Sequence, residues 1–472
     1  MLRQHCSVKI RIFDLFGLGL VLLASTLGWT QDAPGIPVPA VTGAVNADAV
    51  NSSPDTNRMQ TPPPVSGSTY PVSFTSEERA NYLRGGVNFT SAYSDNAFGS
   101  VNGHPVSDVS YSIWPTLALD ESSARLHWVL AYAPGFTFYQ RDTSYNEADE
   151  NFSVDLQYRL SPHVTFSARD ALQKSSNVFN QPDPGAANPV SGGTQEPNQS
   201  VIAPVADRLG NAGNVGLNYQ FAANSMIGAS GTFSNLHYPN AAEVPGLYDS
   251  ASQGGTVFYA ARVSKMHYLG ATYQYQRLLS YPAPGTNETQ THAVIAFYTL
   301  YVTSKFSISA FGGPQYANVG TQFSTAAQVP GSAFTSWNPS AGASMSWQGR
   351  RSNLALGYAH TITTGGGLIG AVREDAAIAS ARQQLLPKLS ASVAASYAQN
   401  DLLASTPLLA NNGHTWSGTA SLQQQVGQHF NFQLGYTRLR EDYSSVAVLA
   451  ATPDTNREFV SISYQFARPL GR

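Results

Sequence analysis

The sequence predicts an all-β protein, a closed antiparallel transmembrane β-barrel of about 18 strands, within a range of roughly 16 to 18. Three observations predict it. From residue 81 onward apolar and polar side chains alternate with period two in one short segment after another, the connections between segments are alternately tight and long, and charge is scarce throughout. A strand that alternates in this way needs an apolar environment on one face and a polar one on the other. A wall between lipid and water supplies both.

Of the 472 residues, 42% are hydrophobic and only 12% charged, whereas soluble domains carry about 25% charge. A prior of about 150 residues per domain would make three soluble domains of this length. Instead Ser, Thr, Asn, Gln and Gly fill the polar positions, which suits a wall with one wet face. The net charge is -3, with no basic block and no acidic tail, so no nucleic-acid partner is expected.

Residues 1–30 read as a signal peptide. Arg3, Lys9 and Arg11 precede an apolar run from Ile12 to Leu27, and its core from Leu15 is shorter than the roughly 20 residues of a spanning helix. Cys6 lies before that run, so the processed chain has no cysteine for a disulfide, a thiol nucleophile or a thiolate metal site. Residues 31–80 read as a disordered Pro-rich periplasmic linker. Pro34, Pro37, Pro39, Pro54, Pro62, Pro63, Pro64 and Pro71 stand among small and polar residues with too few large apolar side chains to offset chain entropy. The barrel is expected over 81–472.

Phe152, Val154, Leu156, Tyr158 and Leu160 share one face against Ser153, Asp155, Gln157 and Arg159. The same split recurs at Val215 to Phe221, Leu269 to Tyr275 and Phe430 to Tyr436. Counting all such segments gives about eighteen, starting near residues 83, 108, 125, 151, 163, 214, 225, 255, 266, 289, 305, 334, 352, 372, 389, 414, 430 and 457, the one at 372 being the weakest in pattern. Tight connections are expected at 120–124, 161–162, 222–224, 303–304, 349–351, 386–388 and 427–429. Long ones are expected at 140–150, 175–212, 239–254, 317–333, 399–413 and 440–456. Short periplasmic turns and long outside loops put both barrel ends in the periplasm and require an even strand count. A sandwich or propeller would not alternate its connections so regularly, and no blade-length repeat is present.

Among 24 Tyr and 22 Phe, Tyr132, Phe136, Phe138, Tyr139, Tyr298 and Tyr301, with Trp337 and Trp347, stand near expected strand ends, where amphipathic rings favour the membrane interface. In the last segment Val460, Ile462, Tyr464 and Phe466 share a face that ends in an aromatic. This is similar to the C-terminal strand by which outer-membrane barrels are recognised by the barrel-assembly machinery, although Ala467 to Arg472 follow it.

The first strand contains Gly86, Val87, Asn88 and Phe89 and ends in Tyr93, Ser94, Asp95, Asn96, Ala97 and Phe98. It resembles the opening strand of the β-barrel porin 2 family, whose Tyr-Asp-Asp-Asn-like stretch is matched except that Ser94 replaces the first Asp. The resemblance implies an outer-membrane barrel associated with exopolysaccharide loci. Its specific part covers Tyr93, Asp95, Asn96, Phe98 and the residues before them.

No converging set of catalytic or metal-binding residues is visible, so no enzyme, metal or cofactor is expected. His127, His163, His237, His267, His292, His360 and His414 are scattered singly, mostly without an acid at ligand spacing, and Gly365 to Gly367 lack the Lys-Ser/Thr of a phosphate loop and read as an outside loop. Asp155, Arg159, Arg169 and Arg262 fall at inward positions and are the pore-lining candidates, with structural pairing as the alternative. Arg277 and Arg438 fall outward near the outside ends, within reach of lipopolysaccharide phosphate. A barrel this wide holds an aqueous channel. The expectation is therefore an integral outer-membrane protein, surrounded by lipid and lipopolysaccharide, that passes small solutes, narrowed if the 175–212 loop folds inward. Polysaccharide export and a non-conducting surface barrel are the alternatives.

Overall fold

The computed structural model describes residues 81–98, 105–177, 205–240, 246–282, 285–303, 305–323, 333–363, 368, 370–403, 412–443 and 454–470. The expected signal peptide and linker, Gly365 to Gly367 and most of the 175–212 loop lie outside them. The strands are β1 (Tyr82–Ser94), β2 (Asp108–Ser122), β3 (Leu126–Tyr139), β4 (Glu147–Ser161), β5 (Val164–Asn177), β6 (Val205–Ala222), β7 (Ser225–His237), β8 (Ser250–Arg262) and β9 (His267–Ser280). They continue as β10 (Gly285–Thr303), β11 (Phe306–Phe323), β12 (Ala333–Gln348), β13 (Ser352–Thr363), β14 (Val372–Leu386), β15 (Leu389–Leu402), β16 (Gly413–Val426), β17 (Phe430–Asp442) and β18 (Asp454–Pro469).

Each strand pairs antiparallel with the one before it, and β1 pairs with β18 from Tyr82↔Pro469 to Ser94↔Arg457 while also pairing with β2. The eighteen-stranded sheet is thus closed. Closure pairs the first strand with the last, which matters because each backbone group left unpaired in hydrocarbon costs several kcal/mol. At a strand spacing of about 4.8 Å and a tilt near 40°, such a wall is on the order of 35 Å across.

Alternation decides which face is which. On β1 the side chains of Val87, Phe89 and Tyr93 are exposed while Thr90 and Ala92 between them are buried, and on β2 Ile113 and Leu117 are exposed against buried Ser112, Trp114 and Ala118. The exposed apolar face continues through Leu217 and Tyr219 of β6, Tyr259 of β8 and Ile462 of β18. Among the described residues no helix is long and apolar enough to cross a membrane. The strands cross.

One end carries tight turns, at 123–125, 162–163, 223–224, 263–266, 304–305, 349–351, 387–388 and 427–429. Gly427 closes the last of these with φ +69, a conformation that a side chain disfavours. The other end carries the longer connections, except between β9 and β10, where only 281–284 intervene. Several strands also reach further outward than alternation alone suggests, so that β4 starts at Glu147 and β6 at Val205.

The inner wall is built from two repeated devices. Cross-strand hydroxyl pairs zip neighbouring strands, among them Thr90 to Ser461 at 3.1 Å, Ser112 with Thr137 at 3.1 Å, Thr299 with Ser309 at 2.9 Å and Thr419 with Thr437 at 3.1 Å. Inward rings lie flat over glycines of the next strand. A Cβ on Gly135 would stand 2.4 Å from the Trp114 ring, one on Gly228 2.3 Å from Phe258, one on Gly270 2.4 Å from Phe297 and one on Gly435 2.3 Å from Phe459. The glycines let large rings lie along the wall. Of the rings expected at the interfaces, Tyr132, Phe136, Phe138, Tyr298, Trp337 and Trp347 do face outward, but Tyr139 is buried inside and Tyr301 packs against an inner cluster.

Candidate functional site: the lumen and its outer mouth

On β1 to β5 the inner wall carries charge. Arg169 stands directly opposite Asp155 in the β4–β5 register, with Nε 3.4 Å from Oδ1, and both are largely buried. Nearer the tight-turn end, Asp120 takes Arg84 Nη2 on one oxygen and His127 Nε2 on the other, each at 2.9 Å. Arg159 shares the inner face of β4 with Asp155, four residues further along. Arg262 is on the far side of this sector, at the inner end of β8, where its Nε donates to Asn224 Oδ1 at 3.0 Å. Three of the four expected lumen residues therefore share one sector and the fourth does not. Alternation alone did not reveal Asp120, Arg84 and His127 as a group. The hairpin does, because Asp120 and His127 flank the 123–125 turn.

On β7 to β11 the inner wall carries an apolar patch among its hydroxyl and amide side chains. Met226, Phe258, Tyr268, Ile295 and Phe297 form one buried cluster on β7 to β10. At the outer mouth Tyr238 and Leu247, beyond β7 and before β8, join Leu368, Val372, Leu402 and Tyr443 from the β13 to β17 side. β7 and β14 are seven strands apart, so this cluster reaches across the lumen rather than along the wall. The Tyr443 hydroxyl accepts from Asn400 Nδ2 at 2.8 Å and from Thr415 Oγ1 at 3.2 Å. Arg208 donates to the Tyr238 hydroxyl, and burial pushes both tyrosines up to about 12. Glu441 is fully buried beside them, and neither carboxyl oxygen has a hydrogen-bond partner among the described residues.

The outer rim faces lipid with paired charges. Arg277 grips Glu288 through Nε at 2.8 Å and Nη2 at 3.0 Å, and Arg438 grips Asp454 at 3.1 and 2.8 Å while lying 5.1 Å over the Trp416 ring. Two more acids, distant in sequence, meet histidines: His237 reaches Asp249 at 2.6 Å and His360 reaches Asp375 at 2.7 Å. Among the described residues no group of three or more His, Cys, Asp or Glu could hold a metal ion.

The residues that carry the family resemblance sit at the seam where the sheet closes. Asp95 accepts from the Asn456 backbone N–H at 2.8 Å and from Asn456 Nδ2 at 2.7 Å, and the Asn96 carbonyl accepts from Thr455 Oγ1 at 3.2 Å. Phe98 stacks on Tyr145 with centroids 4.1 Å apart, and Tyr93 points outward. Val460, Ile462 and Tyr464 point outward beside them, and the Phe466 ring covers Gly85.

Closure, an apolar exterior and a polar inner wall are the features of an integral outer-membrane barrel. No family model matches the sequence, and no curated protein matches it. Solved structures do. OccAB4 of Acinetobacter baumannii is 11% identical with a TM-score of 0.43, over 83% of this chain and 100% of that one. OpdQ of Pseudomonas aeruginosa is 12% identical with a TM-score of 0.41, over 83% and 99%. The siderophore receptor PiuA of Acinetobacter baumannii is 8% identical with a TM-score of 0.43, over 81% and 82%. At this distance the likeness carries no function across.

Proposed function

We propose that the protein is a porin-like outer-membrane channel for passive passage of small hydrophilic solutes, with its route along the charged sector of β1 to β5. The observation that carries this is the inward strip of Arg84, Asp120, His127, Asp155 and Arg169 inside a barrel wide enough for an aqueous path. Charges of both signs along one strip favour polar solutes without strong preference for either ion, and Asp155, Arg159 and Arg169 set the field they meet. Arg262 adds a positive group three strands beyond β5. No step of this function involves bond chemistry.

Planar-bilayer recording of the purified protein tests the reading. Discrete open steps are expected, with Arg169→Ala shifting selectivity toward cations. Silent bilayers containing inserted protein would overturn it. Polysaccharide export rests on the Tyr93 to Phe98 resemblance, and loss of exported polymer in a deletion strain with solute uptake unchanged would put that role first. The reading also takes 1–30 as a removed signal peptide, 31–80 as a periplasmic linker and the β18 face of Val460, Ile462, Tyr464 and Phe466 as the contact for the assembly machinery. N-terminal sequencing of the protein from outer membranes tests the first of these.

A further inference from the structure

The wall is not uniform around its circumference. β12 pairs with β11 out to Ala333↔Gly320, but its ladder with β13 stops at Ala341↔His360. Asn338, Pro339 and Ser340 therefore have no partner on this side, although Thr361 to Thr363, which would face them, continue as a strand paired with β14. A single residue explains where the ladder ends. Along an undisturbed antiparallel strand, successive residues direct their N–H groups to opposite neighbours. Gln348 donates to the Lys305 carbonyl on the β11 side at 2.7 Å, and no register shift interrupts β12. Counting back, the nitrogen of Pro339 faces β13, and proline has no hydrogen to offer.

Beyond this point β13 leaves the wall. Ile362 shares the face of His360 and Arg373, which should point to lipid, yet it is 3% exposed and belongs to a cluster with Leu278 of β9 and Ala317 of β11, both on the inner wall. Gly370, at φ +81, donates its N–H to Ser280 Oγ of β9 at 2.9 Å. The described residues at this end of β13 and β14 turn into the mouth, where Leu368 and Val372 join the apolar cluster that crosses it. This inward turn separates the end of β13 from β12. On the rim of the gap Trp337 is 72% exposed, an indole of the kind that settles at the headgroup level. The unpaired backbone of β12 would cost several kcal/mol per group in hydrocarbon, so this rim stands where water or headgroups reach it.

We propose that the β12–β13 seam is a lateral port through which amphipathic solutes with a hydrocarbon tail pass between the apolar clusters at the outer mouth and the outer leaflet. This rests on the channel reading and adds to it a second route and a second solute class. Polar solutes follow the β1–β5 strip along the axis, and tailed ones leave sideways past Trp337, Pro339 and Ile362.

Closing the seam tests it. Ser340 and Thr361 would be the next directly opposed pair, in a non-hydrogen-bonded position where Cα atoms in a zipped ladder lie about 4.5 Å apart, within disulfide range. The Ser340→Cys/Thr361→Cys double variant of the full chain is reconstituted in phosphatidylcholine vesicles. Transfer of a fluorophore-labelled dodecanoate, uptake of arabinose and bilayer conductance are then measured, oxidised and reduced. The expected result is that oxidation lowers dodecanoate transfer to that of protein-free vesicles and reductant restores it, with arabinose uptake and conductance unchanged. Undiminished dodecanoate transfer with the disulfide formed would overturn the port and leave the channel standing. Absence of dodecanoate transfer in the unmodified protein would overturn it as well, whereas absence of conductance and arabinose uptake alone would count against the channel reading. Pro339→Val, which restores the missing N–H, is a second variant without a cross-link, and reduced dodecanoate transfer is expected there too.

Discussion

Two sectors of the inner wall handle inward-facing side chains differently. On β1 to β5, buried carboxylates are held by arginine and histidine from neighbouring strands, Asp155 by Arg169 and Asp120 by Arg84 and His127. On β7 to β11, Phe258 and Phe297 lie in glycine notches and exclude water from Met226, Tyr268 and Ile295. The first arrangement keeps polar groups within reach of a solute. The second keeps them away and stabilises the wall by contact. At the outer mouth the end of β13 turns inward and parts from β12.

The sharpest break of this contrast comes at the notches. In Gly270→Val the new Cβ would meet the Tyr259 carbonyl oxygen at 2.2 Å and the Phe297 ring at 2.4 Å, so a loss of about 3 kcal/mol is expected. Gly418 has nothing within 4 Å, and Gly418→Ala should leave stability unchanged. Urea titration of the heat-modifiable gel band compares the two. In the charged sector, Arg169→Ala strips Asp155 of its cation, and a loss of about 1–3 kcal/mol is expected together with the selectivity shift. A variant as stable as the parent would mean that lumen water already carries the carboxylate.

The mouth responds more gently. Tyr443→Phe leaves the Asn400 and Thr415 donors without their acceptor, at a cost of about 1 kcal/mol. Because burial raises the Tyr443 and Tyr238 hydroxyls to about 12, against about 10 in the unfolded chain, their contribution is intact below pH 10 and is lost as pH rises from there toward 12. Alkaline titration of stability should therefore be flatter in Tyr443→Phe. The smallest effect belongs to the outer rim. Arg438→Ala removes an exposed ion pair, and less than about 1 kcal/mol should be lost.

Most of the wall is legible in the sequence because a membrane barrel writes its two solvents into alternate residues. The segments expected at 108, 225, 352, 372, 389 and 430 begin on those residues in the structure, including the weakly patterned one at 372. Period two says which face a side chain takes only while the strand stays in the wall. Ile362 reads as outward and is buried inside, because alternation carries no information about a strand end that swings inward. Tyr139 and Tyr301 lie inside although they stand near strand ends, because aromatic character there does not distinguish the interface from the lumen. Cross-strand pairs such as His360 with Asp375 require the register, which turn lengths alone place only to within a residue or two. Pro339 is plain in the sequence, but its effect depends on which neighbour its nitrogen faces.

The account depends first on the join between β1 and β18. Thr90 and Ser461 are directly opposed there, with their hydroxyl oxygens 3.1 Å apart, and Cys6 is the only cysteine in the chain. In the Thr90→Cys/Ser461→Cys variant isolated from outer membranes, non-reducing gels and peptide mapping should show an intramolecular disulfide linking residues 90 and 461. Two free thiols, or a disulfide formed only between chains, would contradict closure of the sheet and with it the channel.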